Sequence, residues 1–329
     1  MRIRELFLTI AVLLAAFWPL SGQRPTSRRL PVDLEAIVDV DGDAAGRVYL
    51  IENRRNRLLV LDSTFAIVAE VANVLSDSTA VVMEQRAVRV LDRKRFVRVE
   101  RYLRRLDVFE WRGGQVAKVL ATRFPFEVED ACPVGGDTLV LVGLHKGMRL
   151  HTVLLDGTLI GAFAPVDTTQ PKWRQRRFAS GWVACSTDLN KVAFTPSLDP
   201  HVEVFERLTG QRVFRAGFPL SHRAQTLTYD EATGIGTIAS GPSGVHVRKR
   251  PSFASDTLEV PSRLNALGKW KDTVLVHRYL AASGRYLGTR VERALRFELR
   301  NNLRLTVTTD EAELASLAAA WKAPSGDRK

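Results

Sequence analysis

Cations set among aromatic rings are the residues of this chain with the clearest capacity for chemistry. Two runs concentrate them: Arg93-Lys-Arg-Phe-Val-Arg-Val-Glu-Arg-Tyr-Leu-Arg-Arg105 and Pro171-Lys-Trp-Arg-Gln-Arg-Arg177. Guanidinium and ammonium groups beside Phe96, Tyr102 and Trp173 can grip phosphates or sugars through charge-assisted hydrogen bonds and cation–π contacts. The whole chain leans the same way. Its 329 residues carry a formal charge of +12, with a pI near 10.1, and arginine supplies most of the excess. Such a surface suits an anionic partner: lipid headgroups, polyanionic glycans, nucleic acid or an acidic protein face.

Motifs for covalent or metal chemistry are weaker. The six histidines (His145, His151, His201, His222, His246 and His277) include no pair in an HExxH context. Ser240-Gly-Pro-Ser-Gly lacks the Gly-x-Ser-x-Gly spacing of a nucleophile elbow, and its strand-turn-strand setting is wrong for one, since an elbow joins a strand to a helix. Gly234-Ile-Gly236 is a lone glycine pair without the rest of a phosphate-binding fingerprint. Asp41-Gly-Asp43 opens like a calcium loop but does not complete the twelve-position ligand pattern, and Asp and Gly together predict a β-turn there. No cofactor and no assigned metal site follow from these residues.

The N-terminus has its own pattern. Met1-Arg-Ile-Arg-Glu is charged, Leu6–Leu20 is an apolar run with no charged residue, and small and polar residues follow at Ser21-Gly22-Gln23. That three-part layout predicts a secretory signal peptide over residues 1–22, with a linker over 23–33. The apolar run is short for a membrane span, which needs roughly 20 residues. The expected location is periplasmic or extracellular, with no transmembrane span unless this segment stays uncleaved. Export argues against nucleic acid as the partner.

Between Pro31 and Thr308 long amphipathic helical patterns are missing. Short β-rich runs separated by Gly, Pro, Asp and Asn take their place, at a period of roughly 40 to 50 residues, as four-stranded propeller blades require. The expected fold is an all-β, six-bladed β-propeller of four-stranded antiparallel blades over residues 34–308. Its blades are Leu34–Val71, about Thr79–Leu120, Val128–Ala164, Gly181–Gly217, Ala224–Val260, and a sixth from near Leu264. In blade two the strands are expected near Ala80–Met83, Ala87–Leu91, Leu106–Trp111 and Gln115–Leu120, with Arg93–Arg105 as an insertion. Asp310-Glu-Ala-Glu-Leu-Ala-Ser-Leu-Ala-Ala-Ala-Trp321 predicts a short C-terminal helix within residues 309–329, with acidic residues in its first turn. Cys132 and Cys185 fall on the first strands of neighbouring blades. Two buried thiols are the expected state, a bridge being the alternative if their Cα atoms come within about 7 Å.

Gly46-Arg-Val-Tyr-Leu-Ile-Glu-Asn-Arg-Arg-Asn-Arg-Leu-Leu-Val-Leu-Asp62 resembles an NHL-type repeat: a Gly-x-hydrophobic strand, an Asn-x-Arg turn, and a second hydrophobic strand ending in Asp. The chain as a whole resembles six-bladed propellers of the broad TolB-like/NHL class. That resemblance implies a second reading, a metal-dependent hydrolase or lyase (lactonase-like) with its site at the central channel. Inner-strand oxygen ligands would then come from Glu35, Glu129, Asp130 and Asn265.

In a propeller, the loops joining strands two to three and one blade to the next share a face. This places Arg54, Arg55, Arg57, Arg93, Lys94, Arg101, Lys172, Trp173, Arg174, Arg176, Arg177, His222 and Arg223 on one basic face. The acids Asp41, Asp43, Asp137, Asp188, Asp230, Glu231 and Asp272 fall on the other. The expected function is an exported binding or scaffold protein. Through its basic face it would recognise an envelope or extracellular protein, or an anionic glycan or lipid headgroup.

Overall fold

The computed structural model describes residues 37–52, 57–64, 66–72, 85–197, 201–217, 226–230, 235–239, 245–248, 250–265, 273–293, 299–300 and 304–305. The expected signal peptide, the linker, Glu35, the strand Ala80–Met83 and the C-terminal helix over 309–329 lie outside these residues.

Short apolar runs closed by turn residues fold here into antiparallel sheets whose strand order follows the sequence. Blade one is β1 (Ile37–Gly42), β2 (Val48–Glu52), β3 (Arg57–Leu61) and β4 (Ile67–Ala72). Blade two is β5 (Gln85–Val90), β6 (Arg95–Glu100), β7 (Arg105–Arg112) and β8 (Gln115–Arg123). Blade three is β9 (Asp130–Pro133), β10 (Thr138–His145), β11 (Met148–Leu154) and β12 (Leu159–Pro165). A helix, α1 (Lys172–Ala179), leads into blade four: β13 (Gly181–Cys185), β14 (Lys191–Pro196), β15 (His201–Glu206) and β16 (Arg212–Gly217). The hairpin turns are set by aspartates that accept backbone N–H groups a few residues on. Asp43 Oδ1 takes those of Ala45 at 2.9 Å and Arg47 at 3.0 Å, so the turn expected at Asp41-Gly-Asp43 starts at Asp43, while Asp41 and Gly42 belong to β1.

The hydrophobic core is a series of layers between consecutive blades. Tyr49, Ile51, Leu58 and Val60 meet Val88, Phe96 and Phe109 across blades one and two. Val99, Leu106 and Val108 meet Val128, Leu139 and Leu141 across two and three. Val140, Val142 and Leu150 meet Val183, Val192 and Phe194 across three and four.

The blade count is corrected first. The described residues form five blades, not six. β17 (Thr226–Asp230) and β18 (Ile235–Ala239) pair only with each other. The following strands build a single fifth sheet in which β21 (Thr257–Asn265) takes both β19 (Val245–Arg248) and β20 (Ser252–Ala254) on one edge. On its other edge β21 pairs with β22 (Thr273–Leu280), which leads to β23 (Tyr286–Arg293). Thr257–Val260, at the end of the expected fifth blade, belongs to the interior strand β21. Leu258 and Val260 are fully buried and pack with Tyr279 directly against Val202 and Val204 of blade four, which leaves no room for a blade between.

In blade two, the stretch read as an insertion is strand β6. Phe96 through Glu100 are all buried, so both faces are covered and the polar/apolar alternation of a half-exposed strand never develops. Its charges are paired across the ladder. Arg98 Nη2 lies 2.8 Å from Asp107 Oδ2, and Arg105 Nη2 2.7 Å from Glu100 Oε2.

The inner strands of a propeller expose an unpaired hydrogen-bonding edge to the axis, and such edges need partners. Here carboxylates from adjoining blades serve them. Asp39 Oδ2 accepts Val88 N–H and Asp41 Oδ2 accepts Val90 N–H, both at 2.9 Å, while Asp130 Oδ2 accepts Val183 N–H at 2.9 Å. Between these acids sits Arg89, 2% exposed. It pairs with Asp39 and with Asp130, and donates through Nε to the Ala131 carbonyl at 2.8 Å. Burial alone would lower Arg89, but the Asp130 and Asp39 charges hold it well above the ordinary guanidinium value. Arg250, just before β20, reaches the Val40 carbonyl at 3.3 Å and so links blade five to blade one.

Cys132 and Cys185 are bonded as a disulfide between the inner strands β9 and β13, with Cα atoms 6.0 Å apart. This corrects the expectation of two free thiols: facing positions on adjacent inner strands bring the sulfurs together. Iodoacetamide should therefore leave both cysteines unmodified until reductant is added, as read by intact mass, and reduction should cost about 2–4 kcal/mol of stability. Asp130→Asn leaves Arg89 with one buried counter-charge fewer and should destabilise by about 3–5 kcal/mol in urea unfolding. The half-exposed Glu70→Gln should cost about 1 kcal/mol or less.

Candidate functional site

Alternation along β15 sets up the principal candidate site. In His201-Val-Glu-Val-Phe-Glu206, Val202 and Val204 enter the layer toward blade five, while Phe205 enters the layer toward blade three. His201 and Glu203 share the side of Phe205, because strand side chains repeat every second residue. Arg215 on β16 is the direct cross-strand partner of Glu203, and a register shift between Val204 and Phe205 brings Arg212 alongside. From blade three, Arg149 of β11 donates through Nε to the Ala164 carbonyl at 3.1 Å. Its guanidinium then lies 5.0 Å from the Phe194 ring centroid in blade four and pairs with Glu203.

Glu203 is thus the hub of a cationic cluster. Its Oε1 lies 3.5 Å from Arg212 Nη1, 3.5 Å from His201 Nε2 and 4.0 Å from Arg215 Nε. Burial pushes its carboxyl up, but the His201 hydrogen bond and the Arg149 charge outweigh that and hold it down at about 2. Arg149 is lowered by burial; Glu203 opposes this, while the neighbouring Arg215 and Arg212 charges add to it. These groups line a cleft of about 270 Å³ between blades three and four, closed on one side by Val166, Asp167 and the α1 residues Gln175 and Phe178.

The sequence-predicted basic residues are dispersed by the fold. Arg57 is buried, 2.6 Å from Glu52 Oε2 and 3.0 Å from Glu70 Oε2. Arg101 lies 2.8 Å from Glu129 Oε1. Both sit where cross-strand or neighbouring-blade acids neutralise them. Arg93 and Lys94 are exposed, but in the β5–β6 turn, on the face opposite the one expected, because β6 is a strand. That opposite face is mixed in sign: Arg47 lies 2.6 Å from Asp43 and Arg95 2.6 Å from Asp137. Lys172 and Arg176 do sit exposed on α1, in the connection between blades three and four. Trp173, Arg174 and Arg177 belong to the same helix by backbone. Arg54, Arg55, His222 and Arg223 lie outside the described residues.

The channel carboxylates proposed as metal ligands are also separated. Glu129 pairs with Arg101, and Asp130 with Arg89 and the Val183 N–H. Among the described residues, no group of three or more His, Cys, Asp or Glu is placed to hold a metal ion.

Arg149, His201, Glu203, Arg212 and Arg215 escaped the sequence reading because it sought charge in loops. The available signal was His201-x-Glu203, two polar residues on one face of an otherwise apolar strand.

No protein-family model matches the chain, and no curated protein matches it. Solved structures do. One, from a crystal structure of the mitotic checkpoint complex, aligns at TM-score 0.49 and 13% identity over 78% of this chain and 66% of its own. A protein from Lactobacillus plantarum aligns at 0.45 and 11% identity, over 77% and 70%. The β-propeller domain of Cps50 (Swd1) from Myceliophteria thermophila aligns at 0.44 and 8% identity, over 78% and 86%.

The depressed Glu203 carboxyl makes stability acid-sensitive. Folded-state ionisation stabilises fully above its ordinary value of 4.5, and that contribution disappears as pH falls toward about 2. Urea unfolding between pH 5 and pH 2 should show a loss of up to about 3 kcal/mol that is absent in Glu203→Gln, a variant already destabilised at neutral pH.

Proposed function

We propose that this chain is an exported β-propeller of the TolB-like/NHL kind. It acts as a binding or scaffold protein that recognises an anionic ligand or an acidic partner through the face bearing α1. The observation that carries this reading is exposed positive charge: Lys172 and Arg176 stand exposed on α1, beside a cleft lined by Arg149, Arg212 and Arg215. A propeller offers two loop-built faces on a rigid stack of sheets, and binding residues are concentrated on loops held by such scaffolds. The N-terminal layout supports export, and so does a disulfide, which persists in oxidising compartments. The Gly46–Asp62 pattern supports the NHL kinship. The partner classes that fit are an envelope or extracellular protein with an acidic surface, an acidic glycan, or an anionic lipid headgroup.

Immobilised heparin and phosphatidylglycerol vesicles are suitable probes. Wild-type protein should be retained by at least one of them and released by salt, because screening weakens exposed charge pairs. Lys172→Glu/Arg176→Glu should elute at clearly lower salt. Elution of the double variant at the wild-type position on both probes would remove α1 from the binding face.

A further inference from the structure

We propose that the face bearing α1 docks on an anionic lipid surface, with Tyr102 seated among the headgroups and the cations of the surrounding loops on their phosphates. This names the partner class for the anion-binding face, and it rests on that reading.

The loops of this face are joined into one rim by direct contact. The Arg104 carbonyl, in the β6–β7 turn, accepts the Phe124 N–H at 2.7 Å and so ties that turn to the connection between blades two and three. In that connection Phe126 stacks on His145 at the end of β10, with ring centroids 5.5 Å apart. The β10–β11 turn is tied in its turn to the connection that carries α1, because the Gly147 carbonyl accepts the Val166 N–H at 2.9 Å. Along this rim Arg104, Arg123, Lys146, Lys172 and Arg176 are exposed. Among the described residues of the same segments the exposed acids are Glu127 and Asp167, so exposed cations outnumber exposed acids five to two. A Lys or Arg held near an anionic bilayer strengthens binding about fivefold.

Two of these cations occupy unusual backbone. Arg104 and Lys146 have φ of 52° and 49°, in the left-handed region where glycine is the ordinary choice. Both stand in turns joining the second and third strands of their blades, and both are exposed. The fold thus keeps a long cationic side chain at two equivalent positions where glycine would be easier to accommodate.

Tyr102 favours a bilayer over a soluble polyanion. It is 52% exposed. Among the described residues, the other exposed large apolar side chains lie on outer strands or, for Leu208, in the β15–β16 turn of the opposite face. Tyrosine has an apolar body and a polar tip, a combination enriched at the headgroup level of membranes. Pro125, exposed in the adjoining connection, adds uncharged surface. The cations are spread over successive loops rather than converged on one point, which suits the repeated charges of a lipid surface.

Co-sedimentation of the full chain with phosphatidylglycerol/phosphatidylcholine vesicles tests this, with heparin retention measured alongside. Pure phosphatidylcholine vesicles are the reference, since the apolar run Leu6–Leu20 enters both kinds alike, and the quantity read is the binding that requires phosphatidylglycerol. Such binding is expected for wild type. Tyr102→Ser should weaken it at least about fivefold, through lost apolar burial, and leave heparin elution unchanged. Arg104→Gly/Lys146→Gly removes two charges and suits the left-handed backbone, so it should weaken vesicle binding at least about tenfold without lowering the melting temperature. Wild-type vesicle binding in either variant overturns the proposal, as does equal binding to both kinds of vesicle. Heparin retention without vesicle binding also overturns it, assigning a soluble polyanion and leaving the α1 reading in place. Matching losses on both probes in Tyr102→Ser overturn it in favour of a glycan, and retention by neither probe overturns both readings.

Discussion

Arg89 is the constraint around which the inner ring is arranged. A guanidinium removed from water persists only with counter-charges in contact, and Asp39 and Asp130 supply them from the blades on either side. The same carboxylates accept backbone N–H groups of Val88 and Val183. One small set of ions therefore neutralises itself and satisfies the inner strand edges. The disulfide between β9 and β13 reinforces this ring at the next junction. Because Asp130 serves Arg89 and the Ala131 and Val183 N–H groups, its role here is in holding blades together.

The layers outside this ring follow a different logic. Between blades the contacts are aliphatic and aromatic, and β-branched residues fill both faces of the middle strands. Toward the α1 face the middle strands carry charged clusters: Glu52 with Arg57, Arg98 and Arg105 with Glu100 and Asp107, and Arg149 with Glu203. In blades one and two the signs balance within the sheet. In the cleft between blades three and four Glu203 is shared by His201 and three arginines.

Much of the architecture was legible from local pattern. Blades one, three and four fall where the spacing of apolar runs and turn residues places them, and Asp43 makes the turn its neighbours imply. Blade two and the region after Gly217 differ from their local pattern for separate reasons. β6 is buried on both faces, so its sequence lacks alternation, and its Arg98 and Glu100 imitate a loop until their cross-strand partners are known, while β21 is set inside its sheet by pairing on both edges. The loop cations were legible as residues, but their exposure was not. Arg57 and Arg101 meet acids that only strand pairing brings near.

By itself the sequence determined an all-β repeat fold, a strongly basic chain, and two cysteines at matching positions of successive blades, because these follow from local periodicity and composition. The number of blades, the pairing of the cysteines and the joining of Arg149 to Glu203 were decided by the tertiary structure. Each depends on which distant strands share an edge or a layer, and no local pattern encodes a contact between residues more than fifty positions apart.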